Sequence, residues 1–214
     1  MRIYFIRHGE TLWNKEKKIQ GTTPYTDLTD FGVKLAEMTR EGLAKRSIRF
    51  DRAYTSPLRR AVHTAEIILA GQPCPLIVDS RLREMGFGGY EGTGIGEGLG
   101  ADDNIRAMFN DPVNYRPPQG ADTFEAVAER LKDFLDNEIK PLEGTCANVL
   151  AISHGGAMRT LLRLMLNIPL AAYWKGRQPN CCSHILSLEH GRFTLLEQSA
   201  VFYDTTLAAS VPSV

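Results

Sequence analysis

The chain has 214 residues, 43% hydrophobic and 23% charged, an ordinary globular balance and length enough to bury a sizeable core. Its 25 Lys and Arg offset 25 Asp and Glu, leaving zero formal charge. No basic excess argues for nucleic acid and no acidic tail is present, so any anion site must be built from local charge.

In chain order, residues 2–6 read as a short buried strand, rich in aromatic and β-branched side chains. Residues 8–27 read mainly as loop. Thr29 then caps a helix over 30–45, with Val33, Leu35, Ala36, Met38 and Leu43 on its apolar face. Residues 52–55 are a second strand, and Ser56-Pro57 fits an N-cap with proline at the first position of a helix ending near Leu69. Residues 76–78 form a third strand. The glycine-dense stretch 86–100 is loop, 102–109 a short helix and 112–120 a turn-rich connector. Thr123 caps a helix reaching about Ile139. Residues 148–152 give a fourth strand and 155–166 the next helix. Residues 183–188 and 193–196 pair through a turn at His190-Gly191, and the tail after Asp204 frays.

This alternation predicts an α/β fold: a three-layer sandwich whose mostly parallel central sheet is flanked by helices. Residues 1–214 are expected to form a single domain, with about 86–122 as a small helical and loop cap. An early Arg7, His8 and Glu10 argue against a signal peptide, and the apolar stretch 160–174 contains Arg163 and is too short to span a bilayer. Cys74, Cys146, Cys181 and Cys182 show no C-x-x-C spacing. A cytoplasmic protein with reduced cysteines is the expectation, with the adjacent Cys181-Cys182 pair as a possible redox-sensitive element.

The chemistry-bearing residues gather at strand ends. Arg7-His8-Gly9-Glu10-Thr11 follows the first strand and Ser153-His154-Gly155-Gly156 the fourth. Parallel strands present their carboxyl ends to one crevice, where open α/β sheets place ligands. Arg7 supplies a fork of donors suited to phosphate, and Asn14, Gln20 and Gly21 add neutral donors. In Thr55-Ser56-Pro57-Leu58-Arg59-Arg60-Ala61 a helix start favours an anion, and only one of the two arginines can face the crevice. Glu84, in Leu82-Arg83-Glu84 ahead of a glycine-rich loop, is a candidate proton donor. His154 opens a helix at Gly155 and can donate to an oxyanion. Taken singly, each has a plain alternative: a polar loop histidine, solvated arginines, a surface carboxylate paired with Arg81 or Arg83.

Taken together and in order, these segments, with Thr64-Ala65 and Tyr90-Glu91-Gly92, resemble the histidine phosphatase superfamily, also called the phosphoglycerate mutase-like family. The resemblance implies that His8 is the nucleophile that takes up a phosphoryl group. It implies that Arg7, Arg60 and His154 clamp the phosphate, with Asn14, Gln20, Gly21, Thr22 and Gly155 assisting. Glu84 matches the family's proton donor. Arg60, not Arg59, carries the role because the motif places arginine directly before alanine. Asp122 stands where relatives commonly have Glu, which leaves its contribution open.

The implied activity is phosphomonoester hydrolysis through a phosphohistidine, needing no metal and no cofactor, on a small phosphorylated metabolite. Neither nucleic acid nor membrane is an expected partner, and a homodimer through an apolar strand edge is possible. Two alternatives stand: a cofactor-dependent phosphoglycerate mutase and a non-catalytic phosphate-binding module. The segment 93–98 and Asp102-Asp103 are neither long nor basic, which points to the phosphatase branch. The aromatic residues Phe87, Tyr90, Phe109 and Tyr115, with Arg116, are candidates to line a substrate pocket.

Overall fold

A computed structural model describes residues 1–95 and 102–208. In chain order the elements are β1 (Arg2–Arg7), α1 (Leu12–Lys15), α2 (Asp30–Lys45), β2 (Arg52–Thr55), α3 (Arg59–Leu69), β3 (Leu76–Val78), α4 (Asp103–Asn110), α5 (Phe124–Phe134), β4 (Asn148–Ser153), α6 (Gly155–Leu166), β5 (Ser183–Glu189), β6 (Arg192–Ala200) and α7 (Thr205–Ala208). The six strands form one sheet in the order β3-β2-β4-β1-β5-β6. β1 runs parallel to β4 and antiparallel to β5; β2 is parallel to β4 and β3.

Period-two alternation explains the layering. Along β1, Ile3 and Phe5 pack with Leu131 and Phe134 of α5 and Leu161 of α6. Tyr4 and Ile6 point the other way, into a core with Leu43 of α2 and Ala61, Ala65 and Ile68 of α3. Both faces are covered, so β1 and β4 read as continuous apolar runs rather than alternating ones. The expected three-layer α/β architecture is thus observed. Among the described residues, no helix is long and apolar enough to cross a membrane.

Several local expectations are corrected. α3 begins at Arg59 with Leu58 as N-cap, two residues beyond the Ser56-Pro57 start. The Ser56 N–H still donates to Ile152 O in the sheet, so the chain has not yet left β2's neighbourhood. The short α1 lies within the expected loop; Thr11 and Asn14 cap it reciprocally. The α-helical part of α5 ends at Phe134 and widens into a π turn over Leu135–Ile139, so the helical run does reach the expected Ile139. After Asp204 the chain forms α7, whose start is held by the Asp204 carboxylate accepting from Thr206 N at 2.9 Å. Of the expected glycine loop, 96–100 lie outside the described residues, as do 209–214 of the tail. Cys181 and Cys182 are buried, and burial pushes their thiols up to about 12 and about 11, which leaves no accessible thiolate for the suggested redox role.

Candidate active site

The register of the sheet assembles the site. Arg7 is opposite Ser153 at the end of the β1–β4 ladder, so His8 and His154 leave the sheet side by side. Their ring centroids are 5.1 Å apart and both side chains are buried. A cavity of about 230 Å³ opens over this edge, lined by Arg7, His8, Asn14, Gln20, Gly21, Arg60, Glu84 and Gly155 among others. Of the residues expected to assist, Thr22 does not line it: its N–H and hydroxyl both face Glu91 Oε1, at 2.8 and 3.1 Å. His154 stands immediately behind His8 rather than on the cavity wall.

Hydrogen bonds hold both imidazoles, and for His8 the partner fixes the tautomer. His8 Nδ1 lies 2.7 Å from Gly9 O, and a carbonyl only accepts, so Nδ1 carries the proton. Nε2 keeps its lone pair. For His154, Nε2 is 2.7 Å from Ser56 Oγ, which also accepts from Leu58 N. A hydroxyl can donate to a bare Nε2 or accept from an Nε2–H, so this contact positions the ring in either tautomer. Both histidines are held well below their ordinary pKa, chiefly by burial and secondly by the Arg60 charge.

The cations are anchored through the backbone. Arg7 Nη1 donates to Gln178 O. Arg60, buried on α3, donates to Gly21 O at 2.7 Å and to Thr23 O and Thr26 Oγ1 at 3.0 Å, so it shapes the 21–26 loop while lining the cavity. Burial lowers both guanidinium pKa values, Arg60 to about 10, which leaves them charged at neutral pH. Arg7 Nε and Arg60 Nε are buried with no hydrogen-bond partner within the described chain. Two orphaned donors on residues that line one cavity are costly unless an oxyanion satisfies them. Arg59, by contrast, is exposed and pairs with Asp27 at 3.0 Å.

Glu84 is held from both sides. Its Oε1 accepts from Met85 N (2.8 Å) and Ala157 N (3.0 Å), and its Oε2 from Gly156 N (3.0 Å), the last two at the start of α6. Gly156 is required there: a Cβ would lie 2.7 Å from Glu84 Oε1. Beneath it, Arg130 donates to the carbonyls of Arg81, Arg83 (2.7 Å) and Glu84 (3.1 Å). Asp122 pairs with Arg83 at 3.0 Å and accepts from Gly86 N at 2.9 Å, so it braces the loop after Glu84 and does not line the cavity.

The outer wall is formed by Ile19, Phe87, Ile95, Phe109, Trp174 and Arg159, with Lys18. Of the expected lining residues only Phe87 and Phe109 take part. Tyr115 is buried against Phe124, Tyr90 donates to Asp102, and Arg116 bonds nearby backbone carbonyls. Sequence reasoning missed Trp174, Gln178 and Arg159. The signal for Arg159 was available: it lies four residues after Gly155, on the same helix face. Among the described residues no cluster of His, Cys, Asp and Glu could hold a metal ion.

Residues 3–200 match the histidine phosphatase superfamily, branch 1. The chain belongs to this superfamily. A probable phosphoglycerate mutase from Erwinia tasmaniensis is 32% identical over 183 residues, 85% of this chain and 82% of that one. The adenosylcobalamin/alpha-ribazole phosphatase of Salmonella typhimurium is 32% identical over 196 residues, covering 91% and 94%. The crystal structure of the alpha-ribazole phosphatase from Shigella flexneri superposes with a TM-score of 0.79 at 28% identity, covering 94% and 96%. Superfamily and relatives together make this chain a phosphatase or mutase.

Proposed function

We propose that the protein hydrolyses a small phosphomonoester through a phosphohistidine at His8. The observation that carries this reading is the His8 tautomer. With Nδ1 committed to Gly9 O, the lone pair on Nε2 belongs to a neutral, buried ring beside two arginines. A nucleophile that attacks phosphorus must be neutral, and burial keeps this one so.

In the first step His8 Nε2 forms a bond to phosphorus as the ester P–O bond breaks, and Glu84 gives its proton to the departing oxygen. In the second, water attacks the phosphohistidine, Glu84 accepts the water proton, and His8 leaves as the neutral ring. The guanidiniums of Arg7 and Arg60, joined as the family resemblance implies by the His154 ring, offer donors to the equatorial oxygens, where charge is concentrated in phosphoryl transfer. All charge compensation in this scheme comes from side chains, so turnover is expected to survive a chelator. Four unpaired thiols suit a reducing, cytoplasmic setting.

The test follows phosphate release from p-nitrophenyl phosphate and 3-phosphoglycerate with chelator present. Acid-quenched enzyme is assayed for phosphohistidine, with His8→Ala as control. Release and phosphoenzyme that both vanish in the variant are expected. Interconversion of 3- and 2-phosphoglycerate with little release would replace this reading with a mutase. Phosphate binding without turnover would replace it with a binding module.

A further inference from the structure

Resting on the hydrolase reading, we infer that the alcohol part of the substrate is a flat ring system. The outer half of the cavity is the subsite that takes it.

Two observations carry this. The first is the wall. Trp174 and Phe109 meet with ring centroids 4.9 Å apart, and Trp174 Nε1 donates to Met108 O at 2.6 Å, which locks the indole. Phe87 and Ile19, both buried, and Ile95 complete an apolar lining opposite the phosphate end. Rigid aromatic surfaces of this kind bind flat π systems by stacking, independently of hydrogen-bond pattern.

The second is how the wall is held. The two terminal nitrogens of Arg159 donate to Lys175 O and Gly176 O at 2.9 and 3.0 Å, which fixes its guanidinium 5.5 Å from the centre of the Trp174 ring. The indole is thus braced by Arg159 as well as through its own Nε1, and a surface fixed in advance costs little ordering when a ring stacks on it. Lys18 sits at the rim, 40% exposed and 2.8 Å from Glu16.

The experiment compares esters with the same type of leaving oxygen. 2-Naphthylmethyl phosphate and glycerol 3-phosphate both release a primary alcohol; 3-phosphoglycerate and O-phosphoserine add a carboxylate. Naphthylmethyl phosphate is expected to exceed glycerol 3-phosphate at least ten-fold in kcat/KM, through KM, and to exceed both carboxylate esters as well. Trp174→Ala should shrink that ratio about ten-fold, and Trp174→Phe should retain most of it. Phe109→Ala provides a second reading if Trp174→Ala does not fold. Preference for a carboxylate-bearing ester, or a ratio unmoved in folded Trp174→Ala, overturns the inference and leaves the hydrolase reading intact. Should no ester turn over, the hydrolase reading fails. Calorimetric binding of naphthylmethylphosphonate against methylphosphonate then decides the subsite alone: tighter binding supports it and equal binding overturns it.

Discussion

Replacing Glu84 by Gln separates its two tasks, holding α6 and moving a proton. The carboxylate accepts three backbone N–H groups, from Met85, Gly156 and Ala157. An amide can keep its oxygen toward Met85 and Ala157, which share Oε1, but its NH2 then faces the Gly156 N–H. One charge-assisted bond is lost, so stability should fall by roughly 2 kcal/mol. The chemical effect is larger and depends on the leaving group. A positioned general acid contributes about 10²–10⁴-fold, so the first turnover of an alkyl phosphate should slow by that range. p-Nitrophenolate departs without help, so its first turnover should change little. The second step still lacks a base, and Glu84→Gln should give a burst of p-nitrophenol with phosphoenzyme accumulating behind it. Quenched-flow with both esters is the assay. An equal loss in the first turnover of both would refute the acid role. So would a burst-free time course with unchanged phosphoenzyme levels.

Three further expectations concern the frame of the site. Gly156→Ala places a Cβ 2.7 Å from Glu84 Oε1; displacing the carboxylate should lower kcat for alkyl esters by about 10–100-fold, within the range of general-acid effects, while circular dichroism stays unchanged. Arg130→Met strands carbonyls at Arg81, Arg83 and Glu84, and unfolding in urea should report a loss of about 3–5 kcal/mol, as when a buried charged partner is removed. Long-range nitrogen NMR of His8 should find the neutral Nδ1–H tautomer still present at pH 6, because burial and the Arg60 and Arg7 charges hold its pKa down; an imidazolium signal there would contradict the geometry.

Acid should also destabilise the fold. His8, His154 and His184 all have depressed folded pKa values, His184 to about 4, each chiefly through burial. Below about pH 6.5 the unfolded chain takes up protons that the folded chain refuses, so stability is full above that value and declines as pH falls toward the folded values. His184 alone accounts for up to about 3 kcal/mol by pH 4. His184 Nδ1 accepts from Ser199 N at 3.0 Å, and Asn can replace that acceptor. His184→Asn should therefore unfold in urea with a shallower pH dependence than the parent. An equally steep decline would place the proton uptake elsewhere.

Much of this was readable from the sequence, for a physical reason. β1 and β4 are buried on both faces, so they announce themselves as unbroken apolar runs ending in Arg7-His8 and Ser153-His154. The parallel rule then brings those ends together. What could not be read is whatever acts through the backbone. Arg130 holds the Glu84 loop by three carbonyls, and Gln178 holds Arg7 by one, and neither contact depends on a recognisable side-chain pairing. Trp174 was hidden for another reason. It enters the cavity from an irregular segment after α6, where no periodicity says which way a side chain faces. Ser56 was read as a helix cap because Ser-Pro fits one; its hydroxyl accepts from Leu58 N at 3.3 Å but also meets His154 Nε2, and the helix begins only at Arg59.

The place of β1 in the sheet sets an order of events during folding. The first strand of the chain lies between β4 and β5, which begin at Asn148 and Ser183. Neither neighbour is local, so the loop that closes β1 into the sheet spans most of the sequence, and pairings of this kind are slow. Helices α2, α3 and α5 can form well before that closure. A refolding chain should then recover circular dichroism early and the ability to bind vanadate or phosphate only in a later phase, since Arg7 and His8 have no partners until both strands arrive. The strand that carries the nucleophile becomes, in this topology, the last to find its place.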